Sequence, residues 1–294
     1  LSDVHARDTI SSEQTWRFGH HDRYVRSWHA PDARSSEFPR EIVLGVVHGL
    51  GDHSGRFDAL GCWFAGRGIR VFAYDQVGHG KSPGPRMQIP SYEALLDDVE
   101  IFLNRLRERH PDASVGLLGQ SMGGNFVINH QLRQYSKVEW MIAGSPMLRS
   151  MKQPGPIHLS LLRLFAKVRP HHVLNTAVDP AQLSRDPAVQ RAFLDDPLVQ
   201  QRISLRLGRA LIDSGRWALD HADRLTTPTL ITHGDADQIT CHQASIEFAQ
   251  RSQGRAITKI WAQGTHDLHH DIIREDYLSS LFDWIVAEVT NRDS

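Results

Sequence analysis

Three side chains in this 294-residue chain have the types and the order needed to attack an acyl carbon. Gly119-Gln120-Ser121-Met122-Gly123 sets a serine between two glycines in the pattern G-x-S-x-G. A serine hydroxyl is a weak nucleophile until a base takes its proton, and that base needs a carboxylate to orient it. Downstream, His233-Gly234-Asp235-Ala236-Asp237 offers two acids, and Gly264-Thr265-His266-Asp267-Leu268-His269-His270 offers three imidazoles. Asp237 is preferred over Asp235, which falls earlier in the turn and could simply cap it. His266 is preferred over His269 and His270 because it follows the loop glycine directly. Metal chemistry at the histidines is disfavoured, because H-E-x-x-H is absent and a serine mechanism needs no metal or other cofactor.

By itself G-x-S-x-G arises by chance in about one chain in ten of this length, so the elements around it decide. A buried-type strand, Ser114 to Leu118, runs into the motif, and a helical pattern with Phe126, Val127, His130 and Leu132 follows it. This strand–turn–helix setting lifts the serine above a sheet on a strained turn, where side chains at 119 and 123 would clash with the neighbouring strand and helix. Asp237 follows the strand-like run Thr229 to Thr232, and His266 follows Ile257 to Trp261. Both therefore lie past strand C-termini, the edge where open α/β sheets assemble their sites, in the order Ser, acid, His. The developing oxyanion needs donors. The Met122 amide is one, and the Leu50 amide is the expected second, in the glycine-rich loop His48 to Phe57 after strand Ile42 to Val47. That loop matches neither phosphate-binding glycine pattern.

The positioning elements alternate. Thr15–Phe18 and Tyr24–Trp28 read as a hairpin separated by residues 19–23, followed by strands at 42–47, 69–74, 114–118, 138–143, 229–232 and 257–261. Helices are expected at Tyr92–Arg109 after a Ser91 cap, at Gln243–Arg251, and from the last strand to about Val289. The prediction is an α/β fold with a mainly parallel central sheet and helices on both faces. The alternation stops between 146 and 222, where no strand of this kind is seen. These 77 residues read as a helical cap inserted between the sixth and seventh parallel-type strands of a core made by 1–145 and 223–294.

Composition narrows the partners. With 33 basic and 34 acidic residues the net charge is −1, without the basic stripe of a nucleic-acid binder. Cys62 and Cys241 cannot make a disulfide framework, and no apolar run reaches the 18 residues of a membrane span. The start Leu1-Ser2-Asp3 is not signal-like, so a cytoplasmic chain is expected, with a peripheral membrane position as the variant reading. The missing initiator Met leaves room for a removed leader.

Taken together the chain resembles the α/β-hydrolases, and within them the monoacylglycerol lipase and lysophospholipase group. The resemblance rests on His48-Gly49-Leu50-Gly51-Asp52-His53-Ser54-Gly55-Arg56-Phe57, Asp75-Gln76-Val77-Gly78-His79-Gly80-Lys81-Ser82, Gly119 to Gly124, Leu183-Ser184-Arg185-Asp186-Pro187, Asp195-Asp196-Pro197-Leu198, and the segments with Asp237 and His266. It implies a Ser121–Asp237–His266 triad, an oxyanion hole from the Leu50 and Met122 amides, and a mobile cap. Asp52, Arg56 and His269 would meet the hydroxyls of a glyceryl head. Gln120 replaces the group's usual His, Asp52 a commoner Glu, and Phe57 and Phe193, the latter on the substrate side, a frequent Tyr.

The expected activity is hydrolysis of monoacylglycerols through an acyl-enzyme. Lysophospholipids or other small esters are the runner-up, and a ligand sensor without turnover is the alternative of another class. Asp-nucleophile relatives are disfavoured by Ser121. The cap stripe Ile157, Leu161, Leu164, Phe165 and Val168, flanked by Arg163, Lys167 and Arg169, either touches a lipid surface or packs on the core. His48 and His79 are read as bonded to backbone rather than catalytic, and Cys241 as an inert thiol.

Overall fold

The computed structural model describes residues 9–31, 38–153, 155–176 and 178–293; the Leu1-Ser2-Asp3 start lies outside them. Strands β1 (Ile10–Phe18) and β2 (His21–His29) form the hairpin. They are longer than the sequence suggests, because the turn takes only Gly19 and His20, with Gly19 at φ 58° supplying the positive dihedral of a tight hairpin. The parallel strands are β3 (Ile42–Val47), β4 (Ile69–Tyr74), β5 (Ser114–Gln120), β6 (Met141–Gly144), β9 (Thr229–Gly234) and β10 (Ala256–Trp261). With the hairpin they make one eight-stranded sheet in the order β1-β2-β4-β3-β5-β6-β9-β10, in which β2 alone runs against the other seven strands.

Period-two alternation decides which layer each strand side chain enters. On β3, Ile42, Leu44 and Val46 join α1 (Asp58–Ala65) and α9 (Arg274–Asp293) on one face of the sheet. Val43 and Val47 join α2 (Tyr92–Arg109) and α3 (Met122–Leu132) on the other. Helix α2 begins where its cap predicts, with Ser91 Oγ accepting from the Ala94 amide at 3.0 Å. Helix α8 (His242–Arg251) lies between β9 and β10.

Between β6 and β9 the chain leaves the sheet for α4 (Pro156–Val168), β7 (Val173–Asn175), α5 (Pro180–Leu183), α6 (Pro187–Asp195), β8 (Arg202–Ser204) and α7 (Leu205–Asp220). Two expectations change here. β7 and β8 pair as a three-residue antiparallel ribbon, too short to leave an apolar signature. The insertion also falls between the fourth and fifth of the parallel-paired strands, since β1 and β2 make only antiparallel pairs. Strand β6 starts at Met141 rather than Val138.

Candidate active site

Ser121 sits at the junction of β5 and α3 with φ 55° and ψ −111°, a sparsely populated conformation costing on the order of 1–3 kcal/mol. The flanking glycines make the turn possible. A Cβ on Gly119 would lie 2.3 Å from the Gly123 carbonyl oxygen, and one on Gly123 would lie 1.9 Å from the Val47 carbonyl oxygen of β3. Hydrogen bonds from the Ser121 amide to Gly144 O (2.8 Å) and from the Met147 amide to Ser121 O (3.0 Å) hold the turn.

His266 and Asp237 meet the serine across the sheet edge. Ser121 Oγ is 2.9 Å from His266 Nε2, and His266 Nδ1 is 2.7 Å from Asp237 Oδ2. Facing a carboxylate, Nδ1 carries the proton and leaves the Nε2 lone pair to accept from the hydroxyl. Asp237 Oδ1 accepts from the Ile239 and Thr240 amides at 2.7 and 3.0 Å, and Oδ2 accepts from Thr240 Oγ1 at 2.8 Å. Burial would raise this carboxyl, but His266 and the hydrogen bonds outweigh burial and hold it well below the usual carboxylate range. Burial likewise opposes charge on His266, and the Asp237 carboxylate overcomes it, lifting the imidazole above its ordinary value. Asp235 is exposed and braces the turn instead, accepting from the Gln263 amide at 2.6 Å.

The loop after β3 approaches from the other side. A Cβ on Gly49 would stand 3.4 Å from Ser121 Cβ, so the backbone carrying Leu50 lies against the nucleophile. His48 orients this backbone: its Nε2 accepts from the Gln76 amide at 3.0 Å, so Nδ1 is the donor to Gly49 O at 2.8 Å. His79 is buried with Nδ1 3.0 Å from Val77 O, and burial pulls its pKa to about 3. Met122 opens α3, where the first amides have no partner within the helix.

A cavity of about 290 Å³ opens at Ser121. Its lining mixes polar Asp52, Arg56, Gln120, His266 and Asp267 with apolar Leu50, Met122, Met147, Val178, Leu183, Phe193, Ile203, Leu211 and Ile239. Arg56 pairs with Asp52 at 2.9 Å, approaches Asp267 at 3.9 Å, and lies 5.1 Å from the centre of the Phe193 ring. His269, expected at the same head group, does not line this cavity. It is 2% exposed and stacks flat on Phe57 with ring centres 4.8 Å apart.

Several side chains hold the base in a role that was not read from sequence. Gln120 Nε2 donates to His266 O (3.0 Å) and Asp267 Oδ1 (3.1 Å), and Ser145 Oγ donates to His266 O (2.7 Å). The segment Gln182 to Arg185 grips the same loop from the inserted side. The His266 and Asp267 amides donate to Gln182 O and Leu183 O, Ser184 Oγ donates to His270 O, and Arg185 Nε pairs with buried Asp271 at 3.0 Å. Burial pushes the Asp267 carboxyl up to about 6, with His266 and Arg56 pulling the other way.

The α4 stripe is turned to solvent rather than packed on the core: Ile157 is 74% exposed and Val168 68%, with Leu161, Leu164 and Phe165 exposed between them. Cys241 is half-buried at the start of α8 and unpaired. Among the described residues no helix is long and apolar enough to cross a membrane.

Comparison with known proteins agrees with this architecture. The family model Hydrolase_4, described as serine aminopeptidase, S33, matches residues 38–273. A monoacylglycerol lipase of Mycolicibacterium smegmatis is 26% identical over 253 residues, covering 85% of this chain and 90% of its own length. An uncharacterized abhydrolase domain-containing protein of Dictyostelium discoideum is 30% identical over 252 residues, which are 85% of this chain and 27% of that protein. The crystal structure of Paleococcus ferrophilus monoacylglycerol lipase superposes with a TM-score of 0.80 at 28% identity, covering 90% of this chain and 99% of its own. With the family model spanning most of the chain and the parallel sheet carrying Ser121, Asp237 and His266 on one edge, the chain belongs to the Hydrolase_4 family and is a monoacylglycerol-lipase-like carboxylic ester hydrolase of the α/β-hydrolase fold.

Proposed function

We propose that the chain hydrolyses monoacylglycerols to glycerol and fatty acid, with Ser121 as nucleophile, His266 as base and Asp237 as its orienting acid. The observation that carries this reading is the pair of contacts from His266, 2.9 Å to Ser121 Oγ and 2.7 Å to Asp237 Oδ2. His266 takes the Ser121 proton as Oγ adds to the ester carbonyl, and the Leu50 and Met122 amides receive the developing oxyanion. His266 then gives that proton to the departing alkoxide. Water, deprotonated by the same imidazole, attacks the acyl-enzyme and frees the fatty acid and Ser121.

The cavity's mixed lining supports the choice of substrate. Apolar residues such as Met147, Leu183, Leu211 and Ile239 suit an acyl chain, and Asp52 and Arg56 suit a small polar leaving group. Residues 146–222 act in this reading as a cap on the core of 1–145 and 223–294. The exposed α4 stripe supports transient contact of that cap with a lipid surface. Lysophospholipid or small-ester hydrolysis is the second reading, favoured by the charged groups Asp52, Arg56 and Asp267 in the lining.

A panel of monoacylglycerol, lysophosphatidylcholine, diacylglycerol and p-nitrophenyl esters at matched concentration tests the assignment. Monoacylglycerol should be turned over fastest; a faster lysolipid overturns the substrate. Ser121→Ala should lose several orders of magnitude in kcat, and near-wild-type turnover overturns the mechanism. A single turnover ending in a stable adduct would mark a sensor instead.

A further inference from the structure

Asp237 carries a second imidazole that the mechanism above does not use. His233 is the penultimate residue of β9, four residues before the carboxylate, and is fully buried. Its Nε2 lies 3.0 Å from Asp237 Oδ2, the same oxygen that faces His266 Nδ1 at 2.7 Å. On its far side, Nδ1 lies 2.8 Å from the hydroxyl of Ser245, a buried residue of α8.

The partners determine the tautomer. Nε2 faces Asp237 Oδ2, the Thr240 carbonyl at 3.3 Å and the Thr240 hydroxyl at 3.2 Å; that hydroxyl gives its one hydrogen to Asp237 Oδ2 at 2.8 Å, so the hydrogen between His233 and the carboxylate is borne by Nε2. Nδ1 then accepts from Ser245 Oγ, and a neutral ring has both nitrogens satisfied. Burial favours that neutral form by lowering the His233 pKa, against the pull of Asp237. The titratable groups facing His233 are Asp237, His266 and, with ring centres 6.2 Å apart, His242. Those acting on His266 are Asp237 and Asp267, with His233 and the buried His269 further off.

We propose that His233 is a positioning residue for the acid: its neutral Nε2–H pins Asp237 Oδ2 in the plane of His266, and Ser245 fixes the tautomer that allows it. The hydrogen bond also withdraws part of the carboxylate's charge. Without it Asp237 is a stronger base toward His266 Nδ1–H, which raises the imidazole's pKa and leaves more of the enzyme without a free base at neutral pH. The inference rests on the reading of Ser121, His266 and Asp237 as a relay.

The test is the pH profile of kcat/KM on a soluble p-nitrophenyl ester for wild type, His233→Leu, His233→Gln, Ser245→Ala and Ser121→Ala. His233→Leu is expected to move the midpoint of the acid limb up by roughly half a unit to one unit. It should also lower kcat about tenfold or more, with KM nearly unchanged. His233→Gln, which keeps an N–H toward Asp237, should recover most of both. Ser245→Ala, a small change that keeps the helix, should move the midpoint in the same direction by less. A wild-type midpoint in Ser245→Ala together with either a wild-type midpoint or no folded protein for His233→Leu overturns the proposal. Equal impairment of the Leu and Gln variants, with only thermal stability changed, overturns it as well. Activity retained in Ser121→Ala instead overturns the relay itself, so the two failures are distinct.

Discussion

Gln120, the residue just before the nucleophile, ties down the base: its Nε2 donates at 3.0 Å to the main-chain carbonyl of His266. The elbow and the loop of the base are therefore one unit, although 145 residues separate Ser121 from His266. Gln120→Leu removes the donor and leaves a buried carbonyl and Asp267 Oδ1 short of a partner. The expected result is a fall in kcat of about ten- to a hundredfold with little change in KM. Steady-state kinetics on a soluble ester measures it.

Asp267 gives stability a pH signature. Its folded carboxyl titrates at about 6 because burial opposes the charge, whereas an unfolded aspartate titrates near ~3.9. Between those values the folded state holds a proton that the unfolded state has lost, so this group's contribution falls as pH rises from about 4 to about 6. The cost is on the order of 3 kcal/mol once both states are ionised. Asp267→Asn should remove it, so the variant's advantage in denaturant midpoint over wild type should be absent near pH 4 and full above pH 7. Asp267 also favours the His266 imidazolium, so the acid limb of the Asn variant's activity profile should move down.

The grip of the inserted segment on the base loop is testable at Arg185. Its partner Asp271 has no side-chain exposure and also accepts from the Thr265 amide and hydroxyl. Arg185→Ala leaves that carboxylate buried without its cation and should cost about 3 kcal/mol in stability. It should lower kcat at temperatures well below unfolding. Differential scanning calorimetry together with turnover at 20 °C or so separates the two effects.

The exposed α4 stripe predicts a dependence on the physical state of the substrate. Leu164→Ser with Phe165→Ser should leave hydrolysis of a soluble short-chain ester unchanged and slow hydrolysis of the same acylglycerol presented in vesicles or micelles. Equal rates on both forms would remove the lipid contact from the functional reading.

What the sequence shows of this molecule is what short-range chemistry controls. Buried strands, the Ser91 cap, the glycines at 119 and 123 and the strand-end positions of Asp237 and His266 all follow from local spacing, and apart from the later start of β6 each stands where its pattern predicts. The helical period of α4 is equally legible, but a period does not say whether the apolar face meets core or water. Three-residue strands such as β7 and β8 have no pattern to read. Contacts such as Arg185 to Asp271 or Gln120 to His266 span 86 and 146 residues, and nothing in the local sequence marks them. His269, which the resemblance put at a glyceryl head, stacks on Phe57 with its ring buried, and nothing in the local sequence marks that stack.

The central claim is that Ser121 forms the covalent acyl-enzyme. Labelling with a p-nitrophenyl alkylphosphonate, followed by intact-mass and peptide mapping, tests it most directly. One equivalent should bind, on the peptide carrying Ser121, with ester turnover lost in proportion to labelling. Label on any other residue, or full turnover by stoichiometrically labelled protein, would contradict it.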